Sequence, residues 1–408
     1  MPRLLLLLPA AGYANADFVA ACERLDIELI TCADYCHQLA PGWGLPPLMS
    51  VPFDQPDIAL PQVLAALHTP VDAVLAVDDH GAQLAAKVRQ ALRLPGNSPD
   101  AVAQLTDKLR FRQLQQRCGL PHPDFALIEG NTAPLPFPLV VKARQLNASR
   151  GVIRANNLSE FERAVRHVRA IQSRAQRHGN TALLAERYID GTEAALDGVL
   201  ENGQLRVLAV FDKPDPLTGP SFEETLFITP SRLPAATQAA FTEAVAHACA
   251  AAGLTHGMIH AEARIDTAGV WLLEIAPRGI GGLCGRVLDA TLGMSAVDIL
   301  LRHTLGYPLP AHAPTEAAGV MMIPIPQPGI LLGVDGMAAA RAVRGITQIE
   351  LTAQPGQRVA PPPEGASYLG FIFSRAPQAT EVEAALRAAH AALSVRIQPV
   401  VGDARVVR

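Results

Sequence analysis

The sequence predicts a multidomain protein of the α/β and α+β classes, with an open parallel sheet at the N-terminus and a small α+β domain at the C-terminus. Three observations predict it. Residues 1–105 alternate short apolar runs with helical patterns, "RLLLLLP", "IELITC", then "VDAVLAVDD" followed by "GAQLAAKVRQALRL". Such alternation marks parallel strands joined by crossover helices. At 408 residues the chain exceeds one ordinary core and suits two or three domains. From residue 313 to 408 its character changes to Pro/Gly turns, short strands and a closing helix, "TEVEAALRAAHAALSV".

Composition excludes several function classes. Hydrophobic residues make up 49% and charged residues 18%, and the formal net charge is −4 with both signs interspersed. This gives neither a nucleic-acid groove nor a polybasic membrane surface, and no apolar stretch is long enough to span a bilayer. The cysteines, Cys22, Cys32, Cys36, Cys118, Cys249 and Cys284, form no CxxC pair and no zinc-spaced cluster with histidine. They read as reduced structural thiols, which fits a cytoplasmic protein.

The opening "MPRLLLLLPAAGYANA" has the ingredients of a signal peptide, but Leu4–Leu8 is too short for its apolar core and Pro9 ends it. An amphipathic segment and a second apolar run follow, so the start reads as a buried parallel strand. In such sheets ligands sit beyond the carboxyl ends of the strands. Asp78, Asp79 and His80 occupy one such end, where helix capping is favoured over substrate contact because "DDHG" opens a helix. Next, "SPDAVAQLTDKLRFRQLQQRCG" reads as capped helices closing at Gly119, and "PLPFPLVVKARQLNASRGVIRANN" as two strands around a polar loop. "SEFERAVRHVRAIQSRAQRHG" is a basic helix with a solvated face. Further strands turn at Asp190-Gly191 and Asn202-Gly203.

The segment "MIHAEARIDTAGVWLLEIAPR" reads as a hairpin with a three-residue loop, Thr267–Gly269, glycine supplying the left-handed last position. If Asp266 pairs with Val270, Glu262 faces Glu274 across the ladder. His260, Arg264 and, near the strand end, Arg278 share that polar face. The other face carries Ile259, Ala261, Ala263, Ile265, Trp271, Leu273 and Ile275. Opposed carboxylates repel and persist where a cation sits between them, a role that suits Mg²⁺. The alternative is pairing with Arg264 and Arg278 on a solvated face. A shared hard metal is favoured because the hairpin runs into a glycine cluster. That cluster, "RGIGGLCG", mimics a dinucleotide fingerprint with Asp298 downstream, but its strand is hairpin-paired and Asp298 lies within a helix. Gly281 and Gly282 instead offer backbone N–H groups to an anion.

With this hairpin in view, the chain resembles the ATP-grasp superfamily, whose signature is a Glu, then Glu-x-(Asn/Ala)-x-Arg, then Gly-Gly. The resemblance implies a two-lobed ATP-grasp core over residues 106–312, with a lid lobe at about 121–187. It further implies that Lys108 in "TDKLRFR" and Lys142 in "PLVVKARQLNASRGV" reach the nucleotide phosphates. The loop Asn147–Gly151, with Ser149, Arg150 and Gly151, covers them. Glu186, Arg187, Tyr188 and Ile189 line the adenine, Glu193 meets the ribose, and Lys213 lies near the γ-phosphate. Within the superfamily the insertion "FDKPDPLTGPSFEETLFITPSRLP" and the C-terminal tail resemble those of L-amino-acid ligases that make dipeptides. Two positions depart from the pattern. Ala276 stands where the commoner triplet has Asn, which removes a metal ligand and leaves the ion count at one or two. The lid is also poor in glycine, which brings Arg150 toward the phosphates.

The implied cofactors are ATP and Mg²⁺, with Mn²⁺ as a substitute, and the implied partners are a small-molecule carboxylate and amine, both amino acids. Neither nucleic acid nor membrane is a partner, and related ligases are often homodimers. The implied reaction is amide formation through an acyl phosphate. Glu262 and Glu274 hold the metal, Lys213 and Arg278 stabilise the transferring phosphoryl group, and Arg278, Gly281 and Gly282 hold the oxyanion. His260 either orients the second substrate or serves as scaffold. The competing readings are a biotin-carboxylase-like or purine-biosynthetic ATP-grasp enzyme, and a nucleotide-binding regulatory module without turnover.

Overall fold

A computed structural model describes residues 1–10, 12–34, 48–130, 132–175, 181–309 and 316–400. Cys36 lies outside them; Cys22, Cys32, Cys118, Cys249 and Cys284 are free thiols. The N-terminal part contains β1 (Arg3–Leu8), α1 (Asn15–Arg24), β2 (Glu28–Ala33), β3 (Leu48–Ser50), α2 (Pro56–Ala66), β4 (Ala73–Ala76) and α3 (Asp79–Leu92). Its sheet is parallel, in the order β3-β2-β1-β4. Leu4 through Leu8 are all fully buried. Leu4, Leu6 and Leu8 pack toward α1 and the body of the molecule, while Leu5 and Leu7 pack with Val63, Leu84 and Val88 on α2 and α3. A strand buried on both faces must be apolar throughout, which accounts for the leucine run.

Two capped helices follow, α4 (Pro99–Thr106) and α5 (Lys108–Arg117). Ser98 accepts from the Ala101 amide, and Asp107 from those of Leu109 and Arg110. Gly119 ends the pair at φ +68°. A smaller lobe, where the sequence resemblance expects the lid, comprises β5 (Phe125–Leu127), β6 (Leu139–Ala143), β7 (Val152–Ala155), α6 (Leu158–Arg174) and β8 (Leu183–Arg187), with sheet order β5-β8-β6-β7. Phe161, Val165, Val168 and Ile171 on α6 share a core with Val141 and Ile153.

The body is one eight-stranded sheet. Its first strands are β9 (Thr192–Glu201), β10 (Gln204–Lys213) and β11 (Leu226–Thr229). The β9–β10 turn uses Asn202 (φ +52°) and Gly203 (φ +82°), as the dipeptide predicts. Next come α7 (Ala235–Ala252), β12 (Gly257–Asp266), β13 (Gly269–Ala276), α8 (Val287–Leu292) and α9 (Ala296–Thr304). The remaining elements are β14 (Ala317–Ile323), β15 (Gly329–Asp335), α10 (Met337–Arg341), β16 (Ile346–Leu351), β17 (Arg358–Val359), β18 (Gly370–Ala376), α11 (Ala379–Ala391) and β19 (Ser394–Gln398). The large sheet runs β13-β12-β9-β10-β11-β14-β18-β16, and a small sheet runs β17-β15-β19. Strands from the last quarter of the chain thus complete the central sheet. Among the described residues, no helix is long and apolar enough to cross a membrane.

Candidate active site

The β12–β13 hairpin places Glu262 opposite Glu274, but by a different route from the one the sequence predicts. Asp266 pairs with Gly269 rather than Val270, leaving a two-residue loop. A bulge at Leu273 then restores the register, so that Glu262 meets Glu274 and Ala261 meets Ile275. The expected apolar face changes accordingly. Leu272 joins Ile259, Ala261, Ala263 and Ile275 in the core, whereas Trp271 and Leu273 do not. Trp271 instead donates its indole N–H to Asp266 at 2.9 Å, and Leu273 lines the cavity.

Behind Glu262 lies a buried charge network. Lys213, on β10, is hydrogen-bonded to Glu193 and Glu224, and its ammonium lies 3.5 Å from Glu262. Burial opposes the charge on Lys213, but the three carboxylates outweigh it and raise its pKa well above the ordinary value. His260 contacts Asp197 at 2.7 Å through Nδ1 and Glu262 at 3.3 Å through Nε2. Burial disfavours its cation, yet these two carboxylates raise its pKa to about 10. His260 therefore bridges Asp197 and Glu262. Glu224 is pushed to about 8, first by burial and then by the neighbouring Glu262. Carboxylate oxygens of Glu193, Glu224 and Glu262 all lie within 4.8 Å of one another. An all-oxygen carboxylate set with Glu274 across the ladder fits a hard divalent cation.

Glu193 is thus tied to Lys213 and, at 3.1 Å, to Arg264. Arg264 is itself buried, donating to the Tyr188 hydroxyl and the Ile189 carbonyl, so it supports the hinge rather than lying on a solvated face. Glu186, at the end of β8, is also buried. It accepts from Lys142 at 2.6 Å and pairs with Arg112 at 2.9 Å. Burial works against its charge, but Arg112 and Lys142 lower its pKa to about 2. Arg112 anchors this pair to the hairpin by donating to the carbonyls of Leu272 and Leu273 at 3.1 and 2.9 Å.

Lys108 donates to the Leu146 carbonyl at 2.6 Å and lies 3.9 Å from Glu274. It therefore links the segment Leu146–Gly151 to the hairpin. That loop holds Ala148 and Ser149 at φ +53° and Gly151 at φ +67°. Ser149, Arg150, Arg187, Tyr188 and Ile189 all line the cavity. The guanidinium of Arg154 stacks 3.9 Å from the centre of the Tyr188 ring. On the far wall Arg278 pairs with Asp79 at 2.6 Å. Asp78 caps α3 by accepting from the amides of His80 and Gly81, and both Asp78 and Asp79 line the cavity. His80 pairs with Asp34 at 2.7 Å. Gly281 and Gly282 line the cavity beside Arg278.

Lys108, Lys142, Glu224, Glu262, Glu274 and Arg278 face one cavity of about 1510 Å³ at the junction of the N-terminal sheet, the β5–β8 lobe, the central sheet and the C-terminal strands, while Lys213, Arg112 and Asp197 support it from behind. Sequence reasoning missed Glu224, Arg112 and Asp197. Asp197 sits in the apolar run "AALDGVL", where a fully buried carboxylate is itself a signal of a required partner.

The match to known proteins follows this geometry. Residues 135–287 match an ATP-grasp domain, and residues 321–398 match the L-amino acid ligase C-terminal domain 2. The chain is 32% identical over 275 residues to carnosine synthase 1 of Gallus gallus, covering 62% of this chain and 30% of that protein. It is 29% identical over 174 residues to a D-alanine–D-alanine ligase of Aromatoleum aromaticum, covering 40% of this chain and 54% of that protein. The chain thus spans about a third of the length of the carnosine synthases it matches. The L-amino acid ligase from Bacillus licheniformis superposes with a TM-score of 0.82 at 24% identity, over 98% of this chain and 99% of the other. Biotin carboxylase from Campylobacter jejuni superposes at 0.69 and 16% identity, over 96% and 92%. Residues 135–287 are thus similar to an ATP-grasp domain, and residues 321–398 to the C-terminal domain 2 of L-amino acid ligases.

Proposed function

We propose that this protein is an ADP-forming carboxylate–amine ligase that joins amino acids through an acyl phosphate. One observation carries the reading: Glu193, Glu224, Glu262 and Glu274 face Lys108, Lys142 and Arg278 across one cavity, with Lys213 among the carboxylates. In this reading residues 106–312 form the ATP-grasp unit, with residues 1–105 and 313–408 closing the cleft.

Glu262 and Glu274, with Glu193 and Glu224 beside them, would hold a divalent cation such as Mg²⁺, whose chemistry is to offset phosphate charge. Lys142, fixed by Glu186 in the lid lobe, and Lys108, at the start of α5 and fixed by the Leu146 carbonyl, hold the phosphates. The substrate carboxylate oxygen attacks the γ-phosphorus, and the bond to the β-phosphate oxygen breaks to leave ADP. The amine then attacks the acyl carbon, phosphate departs, and Arg278 with the Gly281 and Gly282 amides steadies the oxyanion. Arg278 and Asp79 place both signs of charge at one wall, as a zwitterionic substrate needs. The similarity to carnosine synthases and to a D-alanine–D-alanine ligase supports amino-acid substrates. The test is nucleotide and product analysis across pairs of amino acids: ADP, phosphate and a dipeptide mass are expected. Pyrophosphate release would overturn the acyl-phosphate route, and stimulation by bicarbonate with no response to amino acids would overturn the substrate class.

A further inference from the structure

The lid lobe is tied to the C-terminal domain at two adjacent points. The amide of Gly151, the last residue of the phosphate loop, donates to the Pro363 carbonyl at 3.2 Å. On α6, His167 Nε2 pairs with Glu364 Oε1, the two side chains being 25% and 30% exposed. Loop and helix form one piece because Gly151 packs on α6. A β-carbon at Gly151 would lie 3.4 Å from Val168 Cγ1 and 3.3 Å from Ala143 Cβ.

The other half of the contact is fixed to the body. Residues 361–365 lead toward β18, a strand of the central sheet. Pro361, Pro362 and Pro363 have little backbone freedom to lose on ordering. Gly365 donates to the Pro361 carbonyl at 3.0 Å, and a β-carbon there would lie 1.8 Å from the Ala360 carbonyl oxygen, so the turn requires glycine. Outward rotation of the lid lobe must break both contacts together.

We propose that His167 and Glu364 are positioning residues through which the C-terminal domain latches the phosphate loop, Asn147–Gly151, shut over bound nucleotide. Neither side chain lines the cavity; both act through α6 and Gly151. A latch anchored in the domain that completes the central sheet keeps water from a reactive acyl phosphate between the two half-reactions. The proposal rests on the nucleotide reading of the cavity.

The test is hydrogen exchange of the amides of residues 147–152, with and without MgADP. The proteins are wild type, His167→Ala, Glu364→Ala, the double alanine variant and the charge-exchanged pair His167→Glu/Glu364→His. MgADP should protect the loop in the wild type. Each single variant should exchange about threefold faster in the MgADP state, the scale on which one half-buried polar contact acts. The double alanine variant should add nothing further, because both changes remove one interaction, and the exchanged pair should restore protection. In turnover, the single variants should raise KM for ATP and the phosphate released per product formed, with a smaller change in kcat. Equal protection in wild type and variants, or additive losses, would overturn the latch. Absence of MgADP protection in the wild type would overturn both the latch and the nucleotide assignment.

Discussion

Arg112 is 1% exposed and holds Glu186, Gln115 and two hairpin carbonyls at once. Its replacement by methionine leaves those acceptors buried without their donor. Removing one partner of a buried pair costs about 3–5 kcal/mol, so Arg112→Met should lower stability by that order in chemical denaturation and also displace Lys142. By contrast, Glu262→Gln should leave the fold measurable while lowering ligase turnover by more than about 100-fold, since cation affinity depends on ligand and second-layer charge alike; near-normal turnover would remove Glu262 from the cation site. A third residue tests pH. His303 accepts from the Gly257 amide at 2.9 Å through Nε2, so that nitrogen must be unprotonated, and burial lowers its pKa below 6.5. In the window between the folded and unfolded values the unfolded chain binds the proton more readily, so stability rises with pH there. The thermal midpoint should therefore fall as pH drops through about 6.5, and His303→Gln should flatten that slope.

At the scale of elements, the hairpin turns separate local from distant causes. Gly203 sits at φ +82° in a two-residue turn outside the cavity lining. Gly203→Ala should cost about 1 kcal/mol in denaturation with turnover unchanged. The type of that turn was legible from Asn-Gly because its chemistry is local. The opposition of Glu262 and Glu274 in the β12–β13 hairpin was legible, but not the path that produces it. Glu262 and Glu274 are opposed across a bulge at Leu273, whose carbonyl accepts from Arg112 on the distant helix α5. Periodicity cannot report such a contact, so Trp271 and Leu273 were assigned to the wrong face. Glu224 was invisible for the same reason. It reaches the site because β11 pairs with β14, whose residues arrive about 90 positions later in the chain. Leu4–Leu8 was legible because burial on both faces leaves its mark in composition alone.

At the scale of the whole molecule, the C-terminal strands are part of the core. Val320, Met322, Phe371 and Phe373 belong to the same apolar cluster as Leu4, Phe18 and Phe211. A chain ending at residue 315 should therefore be insoluble or lack a cooperative melting transition, as read by circular dichroism. A soluble, nucleotide-binding truncation would show that the sheet is stable without β14, β18 and β16.

The pairing of β11 with β14 also has a consequence for biosynthesis. Once Leu226–Thr229 leaves the ribosome, its outer edge has no strand to meet until Ala317–Ile323 emerges. At about 5–20 residues per second, that edge stays bare for several seconds of translation. β13 and β16 are edges of the finished sheet, whereas β11 is an edge only for this interval, during which its sequence must resist pairing with a neighbouring nascent chain. It is short, and it is followed at once by Pro230, which has no amide hydrogen to offer a foreign partner.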